Sequence, residues 1–230
     1  MVFNKLLGIF PNMESIIKFF CEILEWNWLG IIQSATGIAT LGIAYLALTS
    51  WKKQHKSQKI TSLLDELTDS IHDFIQSVSL PAQHLQYIHI GIESCQYDVD
   101  LDKELEYPET VRFIQKEGQE SASRMMDYLR PCAASVHKIN SLVVKGQMFN
   151  IENFEDCINA CRMITWQYDR LQVVYSILNS NNINWKHPKV IEHLGHLSAI
   201  TYEDIQKHLS ENQASYLKFV KASYSREYNA

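Results

Sequence analysis

Between Glu25 and Lys52 the chain carries no charge. The run from Trp28 to Trp51, WLGIIQSATGIATLGIAYLALTSW, is apolar and long enough to cross a bilayer as one helix. At 1.5 Å per residue, roughly 24 helical residues cover about 36 Å, which exceeds the ~30 Å hydrocarbon core and leaves room for tilt. Trp26, Trp28, Tyr45 and Trp51 stand at or towards the ends, where amphipathic rings favour the headgroup zone. The polar residues inside, Gln33, Ser34, Thr36 and Thr40, can return hydrogen bonds to their own helix. The competing reading is a core helix of a soluble protein, which would need apolar partners on every side.

The flanks set an expected orientation. Lys52, Lys53, Lys56 and Lys59 follow the run, with His55 among them, and no acid appears until Asp65. Ahead of it stand only Lys5 and Lys18, against Glu14, Glu22 and Glu25. The positive-inside bias therefore predicts an outside N-terminus and a cytoplasmic C-terminal domain, attached to a membrane by a single pass. The run is also rich in small residues. Gly30 and Ser34 are spaced i, i+4, and Ala35, Ala39 and Gly42 fall on one face at i, i+4, i+7. Such a face lets a second helix approach closely in lipid, which predicts a homo-oligomer.

Residues 1–27 read as a lead. Pro11 separates an apolar start from residues 13–25, where Glu14, Lys18, Glu22 and Glu25 share one face and Ile16, Ile17, Phe19, Phe20, Ile23 and Leu24 fill the other. That pattern suits a helix lying in the interface plane, with a shallow re-entrant pass as the alternative. The weakly basic start and the lack of small residues argue against a cleavable signal peptide.

Beyond the span the reading is all-α: a juxtamembrane helix over 52–80, then a cytoplasmic domain over 81–230 built as an antiparallel bundle of about five helices. Ile60, Leu64, Leu67, Ile71, Phe74 and Val78 repeat at 4, 3, 4, 3, 4. This seam fits either a short coiled coil or one helix of an intramolecular bundle. Pro81 is expected to close that helix and open the next, 82–94. Pro108 starts another through about Arg130, weakened at Gly118, and Pro131 is expected to break or kink it before a piece that Gly146 ends. Asn150 is the expected N-cap of the central helix, whose stripe is Phe154, Cys157, Cys161, Ile164, Tyr168, Leu171, Tyr175 and Leu178. Pro188 opens a short helix to about Leu197, and Thr201 with Asp204 caps the last.

The charge distribution bounds the partners. The first 56 residues hold five lysines against three glutamates, so with a total of −5 the remainder carries −7. An acidic domain with no basic-aromatic patch is a poor surface for nucleic acid. The five cysteines, Cys21, Cys95, Cys132, Cys157 and Cys161, are odd in number and lack framework spacing. Cys157 and Cys161 share a core stripe and read as small buried hydrophobes.

Two clusters invite a chemical reading. The acidic connector over 93–109 places Asp98, Asp100, Asp102, Glu106 and Glu109 at positions 1, 3, 5, 9 and 12 of an EF-hand loop, with Leu105 at the apolar position. Lys103 replaces the required glycine and Pro108 sits at position 11, so a solvated acidic loop is the competing reading. His193 and His196 lie one turn apart, near His187 and after Glu192, a spacing at which two imidazoles can share a metal. Glu192-His193-Leu194-Gly195-His196 is not the zinc-protease pattern, and no phosphate loop, nucleophile elbow, dinucleotide fingerprint or kinase signature is present. No cofactor is indicated. A metal-dependent enzyme or ion sensor using the loop or the His187/His193/His196 group is the alternative to a non-enzymatic protein.

The layout of a short out-facing lead, one glycine/alanine-rich span, the lysine cluster WKKQHKSQK and a helical cytoplasmic domain resembles small bacterial membrane effectors of anti-phage systems, including retron-associated membrane proteins. The likeness is architectural and covers chiefly residues 13–80. It implies a cytoplasmic domain that senses or is held by a protein partner, and membrane segments that perturb the inner membrane when released.

Overall fold

The seam that begins at Ile60 is the first line of a closed core. Ile60, Leu64, Leu67, Ile71, Phe74 and Val78 are each 2% exposed or less, and all belong to one hydrophobic cluster within the chain itself. Of the two expected uses of this seam, the intramolecular bundle is the one found. The computed structural model describes Lys18 and residues 28–98, 101–102 and 104–228, and it is all-helical, with no strand among the described residues. The helix expected over 13–25 lies, apart from Lys18, outside the described residues.

The chain divides into two compact units, Met1–Lys56 and Ser57–Ala230. Helix α1 is Trp28–Ser94. A 3₁₀ turn, Cys95–Tyr97, follows, and α2, Pro108–Phe113, leads through a π-helical turn, Ile114–Gly118, into α3, Gln119–Gln147. Helices α4, Phe154–Leu178, α5, Pro188–Ala199, and α6, Tyr202–Tyr228, complete the chain. Within the second unit α4 packs along both α3 and α6, with α5 against it as well, so it is central as its long apolar stripe predicts.

Neither interior proline interrupts its helix: Pro81 does not close α1 as expected, and of the break or kink expected at Pro131, which lies inside α3, the break is absent. An interior proline loses one backbone hydrogen bond and clashes with the preceding turn, at about 3 kcal/mol. Against that, Ala82, Leu85, Ile88 and Ile92 carry the buried stripe of α1 onward past Pro81. Ending the helix there would expose several core side chains at roughly 1.5–3 kcal/mol each, so continuity wins. The same holds for Pro131, which is exposed while Leu129, Cys132, Ile139 and Leu142 stay buried on the other face.

The α3–α4 reversal corrects a further expectation. Asn150 is not the cap of α4: the helix begins at Phe154, behind Asn153, whose side chain makes no capping bond. Asn150 and Asn153 instead take left-handed backbone conformations, φ 49° and 57°, which asparagine tolerates better than other non-glycine residues. The tight turn brings Phe154 against Gly146, where a Cβ would stand 2.1 Å from the ring. Thr201 does cap α6, its Oγ1 accepting the Asp204 N–H at 3.2 Å.

Side chains lock α1 to the other helices of the second unit. The Tyr216 hydroxyl of α6, 1% exposed, lies 3.3 Å from the Leu64 carbonyl and 2.9 Å from Thr68 Oγ1. The Tyr224 hydroxyl donates to Asp65. His84 Nε2 meets the Ser121 carbonyl of α3 at 3.2 Å, and His89 Nε2 meets the Ile200 carbonyl at 2.8 Å. These histidines, five apart on one helix, reach two different neighbours.

Candidate functional site

The feature that the core leaves unexplained is the first half of α1. Leu29 is 73% exposed, and from Ile31 to Lys56 every residue is exposed, including Ile38 at 72% and Leu41 at 72%. It is one helix long and apolar enough to cross a membrane by length and composition. Its hydroxyls turn inward on the backbone: Ser34 donates to the Gly30 carbonyl at 2.9 Å, Thr36 to Ile32 at 2.7 Å, Thr40 to Thr36 at 2.8 Å and Thr49 to Leu46 at 2.9 Å. The surface the helix presents is therefore more apolar than its composition.

Ala35, Ala39 and Gly42 lie on this exposed helix with Ser34, and Gly30 is half-buried. A Cβ built on Gly37 or Gly42 meets nothing within 4 Å, so the small-residue face is open. At the end of the apolar stretch Lys52, Lys53 and Lys56 are exposed, as is Lys59 at the start of the second unit.

The acidic connector is tied to cations of the chain itself. Asp98 accepts from Lys116 Nζ at 2.6 Å and from Arg112 Nε at 3.4 Å, and the Lys116 ammonium holds its carboxyl below the usual carboxylate range. Glu104 pairs with Lys186 at 2.6 Å, and the Asp102 carboxylate accepts the Glu104 N–H at 3.1 Å. Glu106 is exposed and Glu109 sits in the first turn of α2, while Asp100 and Lys103 lie outside the described residues. His187 caps α5, its Nδ1 accepting the Lys189 N–H at 3.2 Å. The exposed His193 and His196 rings are 6.3 Å apart between centroids, and His196 Nε2 is 3.9 Å from Glu192. Among the described residues no three His, Cys, Asp or Glu side chains converge as a metal site would require.

The buried cysteines are free thiols among the described residues. Cys132, Cys157 and Cys161 are at most 2% exposed and Cys95 is 7% exposed. The neighbouring Cys157 thiol and burial push Cys161 far above its ordinary value, so it stays protonated and unreactive.

Sequence reasoning missed a polar seam between α4 and α6. The Arg170 side chain, 12% exposed, pairs with Asp204, donates to Gln167 Oε1 at 2.8 Å and lies 4.9 Å from the Trp166 ring centre. His208 Nε2 stands 3.3 Å from Asp204 Oδ1. The pairs Trp166/Arg170 and Asp204/His208 have helical i, i+4 spacing, but nothing in the sequence joins one pair to the other across 34 residues.

No protein family, curated protein or solved structure matches the chain.

Proposed function

We propose that the protein is a membrane-anchored, non-enzymatic effector or scaffold, whose helical domain binds a protein partner and whose span self-associates. One observation carries this reading: residues 29–51 leave a full apolar helix uncovered, while residues 57–228 enclose a core of their own. An exposed apolar helix of this length calls for an apolar surrounding, and lipid supplies one on all sides. The lysines after Trp51 support a cytoplasmic second unit with the N-terminus outside, and the resemblance to bacterial effectors suggests the inner membrane as the one crossed.

The open small-residue face supports self-association through Ala35, Ala39 and Gly42, where backbones can come close. Crosslinking in membranes tests this. The expected result is a dimer or higher species that Gly42→Leu abolishes, and a monomer unaffected by Gly42→Leu would overturn it. The effector form of the proposal, in the manner of the anti-phage proteins the layout resembles, predicts inner-membrane depolarisation on overproduction. A scaffold leaves the potential unchanged.

A further inference from the structure

Helices α3 and α4 leave a cavity of about 570 Å³ between them, within the range of ordinary binding sites. Val143 and Val144 of α3 and Ile158 and Trp166 of α4 line it, with Arg162 and Asp169 one turn before and after Trp166. Val144 is 61% exposed and Trp166 42%. Arg170 lies over the Trp166 ring, 4.9 Å from its centre, and His208 meets the ring edge-on at 6.4 Å. A large ring already fixed in place gives up little freedom on contact, which is the property of an anchor residue. Among the described residues neither the Arg162 guanidinium nor the Asp169 carboxylate makes a hydrogen bond or an ion pair.

The spacing and signs of those charges select the occupant. Arg162 and Asp169 are seven residues apart on α4, so they stand about 20° apart around the axis and about 10.5 Å apart along it. A second helix laid in the groove repeats its side chains at the same interval. An extended segment spans about 10 Å with residues three apart, and those point to opposite faces. Opposite signs disfavour a polyanion, which gains at Arg162 what it loses at Asp169, and the same holds in reverse for a polycation. The match is an amphipathic helix with an acid and a base at i and i+7, and apolar side chains at i+3 and i+4 to fill the cavity. A second copy offers Glu211 and Lys218 on α6 at this interval, but Ala214 and Ser215 stand between them and are too small to fill it.

We propose that the α3–α4 groove is the docking site for an amphipathic helix of a partner protein, with an acidic residue on Arg162, a basic residue on Asp169 and an apolar face against Trp166, Val143 and Val144. This rests on the reading of a partner-binding helical domain and names the surface and the chemistry of the partner.

The test uses the full chain in nanodiscs of neutral lipid, with empty discs as the blank. Binding of fluorescein-labelled, lactam-bridged helical peptides is read by anisotropy. Each peptide carries leucine at i+3 and i+4, and the set differs only at i and i+7: Glu and Lys, Glu and Glu, or Lys and Lys. The Glu/Lys peptide is expected to bind tighter than the other two by roughly tenfold or more, because in those a like-charge contact replaces an attractive one. Arg162→Glu should transfer the preference to the Lys/Lys peptide, and Asp169→Lys to the Glu/Glu peptide, an exchange that loss of the fold does not produce. Equal affinities, or no binding at all, would overturn the groove assignment and leave a partner to other faces of the domain. The partner-binding reading itself fails separately, if no protein crosslinks to the full chain in cells. Loss of the crosslinked dimer in Arg162→Glu, with Gly42 intact, would assign the groove to a second copy and overturn the separate partner.

Discussion

His84 carries its charge at a disadvantage. Burial lowers its pKa from the ordinary 6.5, the Ser121 carbonyl partly restores it, and Arg124 lowers it further. A histidine depressed in the fold adds stability that is complete above its unfolded value and is lost as the pH falls through 6.5 towards the folded one. Thermal melting of the full chain in neutral detergent should therefore drop between about pH 7.5 and pH 5.5, and His84→Gln should flatten that drop. Asp98, held low by Lys116, acts with the same sign in a separate window that opens only below its ordinary 3.8. Gly118 poses an opposed pair of effects. Alanine in a helix is ordinarily favoured by about 1 kcal/mol, yet a Cβ here would stand 2.6 Å from the Leu178 carbonyl oxygen, a backbone atom that cannot swing aside. Gly118→Ala is expected to destabilise by roughly 1–3 kcal/mol in chemical denaturation, because overpacking against backbone outweighs propensity. In the sequence Gly118 read only as a weak point in a helix. Its close neighbour lies 60 residues away, and no local pattern announces such a contact.

At the scale of the element, α1 shows what periodicity can and cannot tell. The seam from Ile60 to Val78 was legible because every fourth or third residue is apolar, and all six are buried. The boundary at Pro81 was misread because a local rule was set against a stripe that resumes at Ala82, Leu85, Ile88 and Ile92. Pro81→Ala restores the backbone donor and is expected to raise stability by about 1 kcal/mol, a fraction of the full proline penalty because the buried ring also gives up packing. Unfolding midpoints with unchanged denaturant slope would check it. The acidic connector was legible as a loop, but not the destinations of its carboxylates: Lys116 and Arg112 for Asp98, Lys186 for Glu104. The Arg170–Asp204 seam was invisible for the same reason, since it joins residues of two helices.

Taken as a whole, the molecule has one unit whose apolar helix is exposed and another that buries its own core. Residues 57–230 expressed alone should stay in the supernatant after ultracentrifugation, whereas the full chain should pellet with membranes and resist carbonate extraction. Release of the full chain by carbonate would contradict the anchor. The hydroxyls of Ser34, Thr36, Thr40 and Thr49 bear on how such an anchor finds a companion. Each hydroxyl proton is already engaged with a carbonyl one turn back, so these four hydroxyls have no proton left to offer a second copy. On the proposed self-association, contact would rest mainly on surface relief, the fit of ridges around Ala35, Ala39 and Gly42. Replacing Thr36 and Thr40 by valine should accordingly leave the crosslinked species expected of the full chain unchanged, whereas Gly42→Leu should abolish it.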